Sequence, residues 1–319
     1  MASAEEYRYP FPPYPTGWYL LTESANVAPG DVLPLRYFGR DLVLFRTEAG
    51  EAVLLDAYCP HLGAHLGYGG TVEGEGIRCP FHSWRFDADG QCDDVPYKTS
   101  PGVPKASVPC WPLREASGLI LVHFSQHGHA PEWEMPDQPN WGMPGWVGYE
   151  TKTWTVRVHA QEITENIPDT THFVSVHGMP EVPEARVETK DHIFHQVMGD
   201  DSYALTQVAY GLGLAWLDVD YPVRYRLLVA ATPIDEQCTE LRLLFLVDEG
   251  EGATEISDKG RAIIDVISRN TSMDVTIWER KIYRDRPLLV AGDGPIGVFR
   301  KWARQFYEAD AAPAASAAS

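Results

Sequence analysis

The sequence predicts an α+β protein in which a small antiparallel β domain precedes a helix-grip domain, an antiparallel sheet that holds a long C-terminal helix. Three observations predict this class. Short β-branched or apolar runs separated by turns fill the first 125 residues. Longer strand-like runs begin at residue 149, and a long amphipathic segment follows them near the C-terminus. Successive strands that end in a long helix favour an antiparallel sheet packed against that helix.

The length of 319 residues allows two domains with their own hydrophobic cores. We expect an extended N-terminal arm at 1–15, a first domain at 16–125 and a connection at 126–148. A second domain at 149–310 and a disordered tail at 311–319 should follow. The arm is rich in Tyr and Pro and lacks signal-peptide architecture. The connection is rich in Pro, Gly and Trp without periodicity, and the tail contains mainly Ala, Ser and Pro.

The elements of the first domain are short strands joined by tight turns. Strand candidates lie at 41–46, 51–56 and 118–124. Glu48-Ala49-Gly50 and Asp87-Ala88-Asp89-Gly90 have the composition of hairpin turns. This pattern predicts a small antiparallel β domain.

The second domain contains both strand and helix candidates. Its strands are predicted at 151–158, 203–210, 224–231 and 240–247, and its helices at 161–177, 255–283 and 296–307. The run from Gly211 to Trp216 is either part of a ligand pocket or ordinary core, and the same two interpretations hold for Val174 and Met179.

Charge and cysteine content exclude several classes of protein. The net charge of −19 argues against nucleic acid or an anionic membrane surface as partner. No apolar run approaches the ~20 residues that a membrane span needs. Beyond Cys59 and Cys79, three scattered cysteines do not form a disulfide framework, so we expect a reducing, cytoplasmic location.

Two Cys/His pairs form the most specific pattern in the chain. Cys59-Pro60-His61 is followed, after seventeen residues, by Cys79-Pro80-Phe81-His82. Two thiolates on one iron and two imidazoles on the other are the ligands of a Rieske [2Fe–2S] cluster. A structural zinc site has the same four ligands, but zinc fingers usually keep the cysteines together and the histidines together. The alternating order favours the cluster.

This stretch resembles the Rieske domain family. Quinol-oxidising respiratory Rieske proteins carry an additional cysteine in each loop, whereas the matching positions here are Ala64 and Phe81. Rieske ferredoxins are short single domains, whereas more than two hundred residues remain here. The second domain must therefore be explained separately.

His172 and His177 are candidate ligands of a second metal. Five residues rotate a helix by about 140°, so the two side chains converge only if the helix distorts or ends between them. Gly178 and Pro180 supply such an end. Two buried histidines with ordinary hydrogen-bond partners are the alternative interpretation.

A third ligand is expected from the long C-terminal helix. Ile263, Ile267, Asp274 and Trp278 fall on one helix face. An acid on a buried face is costly unless it is paired or bound to metal. Two histidines and one carboxylate form the facial triad of oxygen-activating non-haem Fe(II). A salt bridge from Asp274 to a core arginine is the alternative, in which case Glu162 or Asp265 is the candidate carboxylate.

Over nearly its full length, the chain resembles the α subunit of Rieske non-haem iron oxygenases, in the branch of ketosteroid hydroxylases and cholesterol desaturases. The matching segments are Glu165-Asn166, Asp169, His172, His177, Asp274-Val-Thr-Ile-Trp278, Pro287-Leu-Leu289, Asp293-Gly-Pro295 and Arg304-Gln-Phe-Tyr307. The resemblance implies that His172, His177 and Asp274 bind iron. It also implies that Asp169 links the two metal centres by bonding His82 of a neighbouring subunit in a homotrimer. Pro168, just before Asp169, departs from the family pattern.

Helix geometry supports a role for Asp169, since it lies three residues before His172 on the same face and can accept its second ring N–H. The chain shows no nucleotide-binding signature, so electrons from NAD(P)H are expected through a separate ferredoxin or flavin reductase. We expect O₂-dependent hydroxylation or desaturation of a largely apolar substrate. A steroid-like or polycyclic substrate follows from resemblance alone, and aromatic acids, terpenoids or alkaloids also fit. A Rieske electron-transfer protein and a zinc-stabilised binding module are the alternative functions.

Overall fold

The computed structural model describes residues 7–200 and 203–308, whose strands form four antiparallel sheets. The predicted tail at 311–319 and the first six residues of the predicted arm lie outside the described residues. The α+β class is confirmed, because antiparallel sheets dominate and helices are few.

The first part of the chain contains ten strands in three small sheets, ordered β1-β10-β9, β2-β3-β4 and β5-β6-β7-β8. The strands are β1 (Gly17–Glu23), β2 (Val32–Tyr37), β3 (Arg40–Arg46), β4 (Ala52–Asp56), β5 (Thr71–Glu73), β6 (Gly76–Arg78), β7 (Arg85–Phe86), β8 (Cys92–Asp94), β9 (Leu113–Ala116) and β10 (Leu119–Phe124). The predicted turns at 48–50 and 87–90 connect β3 to β4 and β7 to β8.

Two apolar clusters stabilise these sheets. One includes Phe45, Leu55 and Phe86 and extends to the buried Cys59 and Cys79. The other packs β1, β3 and β10 around rings such as Phe38 (ring contacts of about 5 Å with Tyr19 and Phe124). Because the first cluster includes both cysteines, the loops that carry them rest on a packed core.

The second part of the chain forms one seven-stranded sheet, ordered β11-β17-β16-β15-β14-β13-β12. Its strands are β11 (Trp146–Val156), β12 (Ala185–Lys190), β13 (Ile193–Asp200), β14 (Tyr203–Tyr210), β15 (Leu214–Val219), β16 (Tyr225–Pro233) and β17 (Thr239–Asp248). Its helices are α1 (Ala160–Thr164), α2 (His172–Ser175), α3 (Asp258–Trp278) and α4 (Ile296–Ala303).

The two faces of this sheet have different partners, because side chains alternate along each strand. Leu227 on β16 belongs to the cluster that includes Ile163 of α1 and Ile264 of α3. The next residue, Leu228, faces the opposite way and packs with Trp18 of β1. A β carbon on Gly213 would lie only 2.4 Å from the Trp18 carbonyl oxygen, so glycine permits this close approach. The large sheet is therefore covered by helices on one face and by the first domain on the other.

Helix α3 lies on the sheet in the predicted orientation. Ser257 caps its N-terminus, with Oγ accepting a hydrogen bond from the Gly260 amide at 3.2 Å. Asp274 and Trp278 are buried, and Ile267 is partly buried on the same face. The helix therefore carries one carboxylate into the interior of the domain.

The helical stretch predicted at 161–177 is interrupted in the structure. The chain forms α1, then turns, and then α2, with Pro168 between them. Proline lacks an N–H and clashes with a preceding helical turn, so the helix ends before it. The strands β12, β13 and β15 of this domain were not predicted from the sequence.

No helix in residues 7–200 and 203–308 is long and apolar enough to cross a membrane.

Candidate metal centres

The two Cys/His loops have the same backbone design. The Cys59 amide donates to Ala64 O at 2.9 Å, and the Cys79 amide donates to Trp84 O at 2.8 Å. Four residues after each cysteine, Gly63 and Ser83 adopt positive φ values of 74° and 58°. The two loops therefore turn in the same way and present their cysteine and histidine side chains in equivalent positions.

The ligand side chains of these loops divide into two pairs. Cys59 and Cys79 are buried, whereas His61 and His82 are partly exposed, with ring centroids 4.8 Å apart. Trp84 stacks on His61 at 4.6 Å with an interplanar angle of 8°, and its indole N–H donates to the Tyr97 hydroxyl at 2.8 Å. Trp84 therefore orients one imidazole at the protein surface.

The chemistry of these four side chains fits a Rieske [2Fe–2S] cluster. Burial raises the pKa of the Cys59 thiol to about 11, and the neighbouring Cys79 adds to this effect. Two thiols in such a place become thiolates only when a cation compensates the charge. The two buried sulfurs would bind one iron of the cluster, and the two outer imidazoles would bind the other.

The second candidate centre forms where the chain breaks between α1 and α2. A β carbon on Gly294 would lie 2.2 Å from the Pro168 carbonyl oxygen, so the loop before α4 packs directly against the break. Gln196 on β13 donates from Nε2 to Ile167 O at 2.7 Å. These contacts hold the irregular segment that leads to His172.

His172, His177 and Asp274 converge in space. One potential ligand atom from each lies within 4.8 Å of the other two, and within residues 7–200 and 203–308 this is the single group of three with that property. His177 Nε2 lies 3.3 Å from Asp274 Oδ1, and the rings of His172 and His177 are 5.0 Å apart. The alternative interpretation of Asp274, a salt bridge to a core arginine, is not among the ion pairs of the described residues.

The electrostatics of this group favour a bound cation. Burial raises the pKa of Asp274 to about 6, opposed by the charge of His172 and by a hydrogen bond from Asn166. Burial also disfavours the charged form of His177 and so lowers its pKa. The Nδ1 atom of His177 is buried and has no hydrogen-bond partner in the described part of the chain. A divalent metal would compensate both costs. Two imidazoles and one carboxylate fit a facial-triad Fe(II) site.

Asp169 lies beside His172, but the contact differs from the helical one that the sequence predicts. The main-chain carbonyl of Asp169, rather than its carboxylate, makes a short hydrogen bond with His172 Nδ1. Its Oδ1 is 3.8 Å from that nitrogen and accepts from Thr171 Oγ1 at 3.0 Å. The Asp169 side chain is 40% exposed, so its carboxylate also reaches the surface.

The alternative carboxylates are placed elsewhere. Glu162 is buried and pairs with Lys281 Nζ at 2.8 Å, and Asp265 lies on the exposed side of α3. Glu165 forms a two-pronged ion pair with Arg300 of α4, at 2.6 and 2.7 Å. Sequence reasoning did not identify Arg300, because nothing in the linear pattern links residues 135 positions apart.

A cavity of about 310 Å³ opens beside the His172, His177 and Asp274 group. Its walls come from the sheet, α1 and α3, and most are apolar, including Leu205, Leu217, Leu227, Val229, Leu243, Ile267 and Trp278. Polar side chains enter at Gln207, Asn270 and Thr271. Gly213 and Ala215 also line it, whereas Trp216 packs on the opposite face. An apolar cavity with few polar groups is typical of a small-molecule site.

Comparisons with known families cover almost the whole described chain. Residues 17–112 match the Rieske [2Fe-2S] domain, and residues 122–307 match the 3-ketosteroid 9α-hydroxylase C-terminal domain. The first match includes both Cys/His loops, and the second includes His172, His177 and Asp274. The boundaries predicted at 125 and 149 stay predictions.

Curated relatives match over most of their own length. A probable 3-ketosteroid-9-alpha-monooxygenase oxygenase component of Rhodococcus rhodochrous is 32% identical, over 92% of this chain and 80% of the relative. Cholesterol 7-desaturase nvd 1 of Ciona intestinalis is 30% identical, over 93% of this chain and 69% of the relative.

Solved structures share the fold at lower identity. Dicamba monooxygenase bound to dicamba superposes with a TM-score of 0.72 at 17% identity, covering 91% of this chain and 96% of that one. NdmA of Pseudomonas putida CBB5 gives a TM-score of 0.72 at 22% identity, covering 90% and 88%.

Proposed function

The chain belongs to the Rieske oxygenase family that contains the 3-ketosteroid 9α-hydroxylases, and we propose that its substrate is a steroid-like, fused-ring molecule. As the terminal oxygenase component of a Rieske-type non-haem iron monooxygenase, it contains a [2Fe–2S] cluster and a mononuclear iron. A separate reductase supplies its electrons, and O₂ is its co-substrate.

The observation that carries the substrate proposal is the apolar cavity beside His172, His177 and Asp274. Its volume of about 310 Å³ suits one compact apolar molecule, near the lower end of the ~300–1,000 Å³ of ligand pockets. The curated relatives named above act, by their names, on 3-ketosteroids and cholesterol. Both are rigid fused-ring bodies with one or two oxygen functions, which matches apolar walls with a few polar side chains.

We propose the following roles for individual residues. His172, His177 and Asp274 would hold the mononuclear iron, and Cys59, His61, Cys79 and His82 would hold the cluster. When bound, these groups supply O₂ activation and single electrons, respectively.

Other groups around the site would position the substrate and orient the His172 ring. The leucine and valine walls contributed by the sheet remove water from an apolar substrate. Gln207 is buried, and Asn270 lies one helical turn before Asp274, so both can hydrogen-bond a carbonyl or hydroxyl of the substrate. The Asp169 carbonyl fixes the ring orientation and tautomer of His172 by accepting from Nδ1–H.

We further propose that the Asp169 carboxylate bonds His82 of a neighbouring chain in a homotrimer and so links the cluster of one chain to the iron of the next. Around His61 and His82, large apolar side chains are exposed, including Tyr58, Leu62, Phe81 and Tyr97. Near the break at Pro168, the loop before α4 exposes Leu288 (99%) and Val290 (73%). Exposed apolar patches at both ends of the electron route favour a contact between copies of the chain.

A cytoplasmic location is part of the proposal. Its support is cysteine usage, because Cys59 and Cys79 are the proposed cluster ligands and none of the five cysteines forms a disulfide. A reducing compartment keeps such thiols available for cluster assembly.

The test is an O₂-uptake assay with a matched reductase and a panel of substrates. The panel contains a 3-ketosteroid, cholesterol, a terpenoid and an aromatic acid. We expect coupled O₂ consumption with the steroids, and mass spectrometry then distinguishes gain of one oxygen from loss of two hydrogens. Coupled turnover restricted to a non-steroid would refute the substrate proposal.

A further inference from the structure

A third group of side chains of the types that bind metals lies at the junction of the two domains, away from both centres described above. The connection after β10 contains His127-Gly128-His129, and Gly128 has a φ of 72°, which folds the two histidines toward the same side. Glu308, close to the end of the described chain, approaches both of them. The chemistry of the site above uses none of these residues.

The Glu308 carboxylate is held rigidly in place. Its Oε1 accepts from Thr16 Oγ1 at 2.6 Å and from Ser125 Oγ at 2.7 Å. Its Oε2 accepts the His127 amide at 3.1 Å. The side chain is only 14% exposed, so its position is fixed by the protein rather than by solvent.

Both imidazoles lie within ion-pair distance of the same Glu308 oxygen. His127 Nε2 is 3.8 Å and His129 Nδ1 is 3.7 Å from Glu308 Oε2. These separations exceed a hydrogen bond. Ligand atoms of one tetrahedral zinc ion lie about 3.3–3.5 Å apart, given metal–ligand bonds of ~2.0–2.2 Å. Small side-chain rotations would therefore bring all three atoms to one ion.

The site needs one movement to close. The two imidazole centroids are 5.9 Å apart, and the three ligand atoms do not yet lie within 4.8 Å of one another. The His129 side chain is 70% exposed and can rotate without disturbing packing. It lines a polar cavity of about 530 Å³ together with the buried His123, whose Nδ1 has no partner among the described residues. The cavity leaves room for water as a fourth ligand.

We propose that His127, His129 and Glu308 bind a divalent transition-metal ion, with Zn²⁺ as the best match to two imidazoles and one carboxylate. The ion would join the start of the first domain, through Thr16, to the connection and to the C-terminal segment. This inference does not depend on the proposed substrate.

The test is a Zn²⁺ titration of the iron-loaded protein against a chromophoric chelator, with iron measured in parallel. We expect one Zn²⁺ per chain to bind without loss of iron, and the thermal unfolding midpoint to rise with Zn²⁺. X-ray absorption at the zinc edge should show two imidazole ligands. His127→Gln, His129→Gln and Glu308→Gln should each weaken binding by more than the ~10–100-fold typical of outer-sphere losses.

The matched control is His195→Gln, which removes an imidazole from β13, outside this cluster. Glu308→Gln keeps an acceptor for Thr16 and Ser125 but loses the acceptor of the His127 amide, so its unfolding midpoint without zinc is measured first and serves as the baseline for its response to zinc. Unchanged zinc binding in all three variants would overturn the proposal. If zinc binds only when iron is released, it occupies the site of His172, His177 and Asp274 instead. This result would also contradict the proposal.

Discussion

At the residue scale, the contacts of each side chain determine its part in the candidate centres. Asp274 is buried on α3 against two imidazoles, whereas Asp265 on the same helix faces solvent. Asp169 contributes its carbonyl to His172 and keeps its carboxylate partly exposed. On the proposed roles, substitution of Asp274 should affect iron retention and substitution of Asp169 should affect electron transfer.

Asp274→Ala should lose the mononuclear iron and retain the cluster, because the remaining two imidazoles form an incomplete ligand set. Metal analysis should show that the iron content falls from three to two atoms per chain, and sulfide analysis should still find two sulfides. The electron paramagnetic resonance signal of the reduced cluster should also be unchanged. Asp265→Ala is the control and should keep all three irons. Iron retention in Asp274→Ala would show that another acid is the ligand.

Asp169→Asn should keep most of its iron, because the carbonyl that orients His172 is unaffected by the substitution. Removing the carboxylate charge should interrupt electron transfer between centres and reduce turnover by more than the ~10–100-fold typical of outer-sphere losses. Single-turnover measurements should show a reduced cluster that stays reduced after substrate and O₂ are added. Reoxidation at the wild-type rate with product formed would eliminate the proposed role of Asp169.

At the element scale, the segment that begins with α1 and continues past α2 places the two candidate histidine ligands, and its start depends on His159. His159 caps α1 because its Nδ1 accepts the Gln161 amide at 3.0 Å, while Nε2 lies 3.2 Å from Pro12 O. The neutral ring with its proton on Nε2 satisfies both contacts. Burial lowers the pKa of His159 to about 4, although the hydrogen bonds to Pro12 and Pro13 oppose this shift.

His159 should therefore make the fold sensitive to acid. In the unfolded chain its pKa is about 6.5, so the unfolded state binds a proton first as the pH falls. The contribution to stability is complete above pH 6.5 and is lost progressively toward pH 4, on the order of 3 kcal/mol. His159→Asn keeps a capping side chain without a titrating group.

The unfolding midpoint of His159→Asn, measured by thermal scans between pH 7 and 4, should fall less steeply than that of the wild type. His195→Asn serves as the control and should follow the wild-type curve. Parallel curves for all three proteins would mean that other groups dominate the acid response.

At the scale of the whole molecule, the two candidate metal centres lie in the ranges matched by two different family models. Across residues 7–200 and 203–308, no assigned hydrogen bond, ion pair or ring contact joins the Cys59–His82 loops to the segment from His159 to Gly178. The apolar side chains exposed near both centres are consistent with the proposed contact between neighbouring chains.

Co-expression of two inactive variants tests this route. Cys59→Ala should disable the cluster, and Asp274→Ala should disable the iron site. In a ring of three chains with random composition, three quarters of the trimers contain both variants. Each of these mixed trimers has one pair of neighbouring chains that combines an intact cluster with an intact iron site, compared with three such pairs in the wild type. We expect about one quarter of wild-type turnover from the mixture and none from either variant alone. No activity in verified mixed trimers would instead indicate transfer within one chain.

Local chemistry in the sequence determined the class of the protein, its cofactors and its candidate ligands. The Cys/His spacing identifies the cluster because the metal requires those residue types close together on two turns. The face of α3 that carries Asp274 follows from helical periodicity alone, and the α+β class follows from the order of the elements.

Other features depend on contacts between residues far apart in the chain, and only the tertiary structure decided them. The break at Pro168 turns His172 toward His177, and its geometry rests on contacts with Gln196 and Gly294. The ion pair of Glu165 with Arg300 and the approach of Glu308 to His127 and His129 likewise join distant segments. No local pattern encodes these contacts, because they exist only once the sheet has brought the segments together.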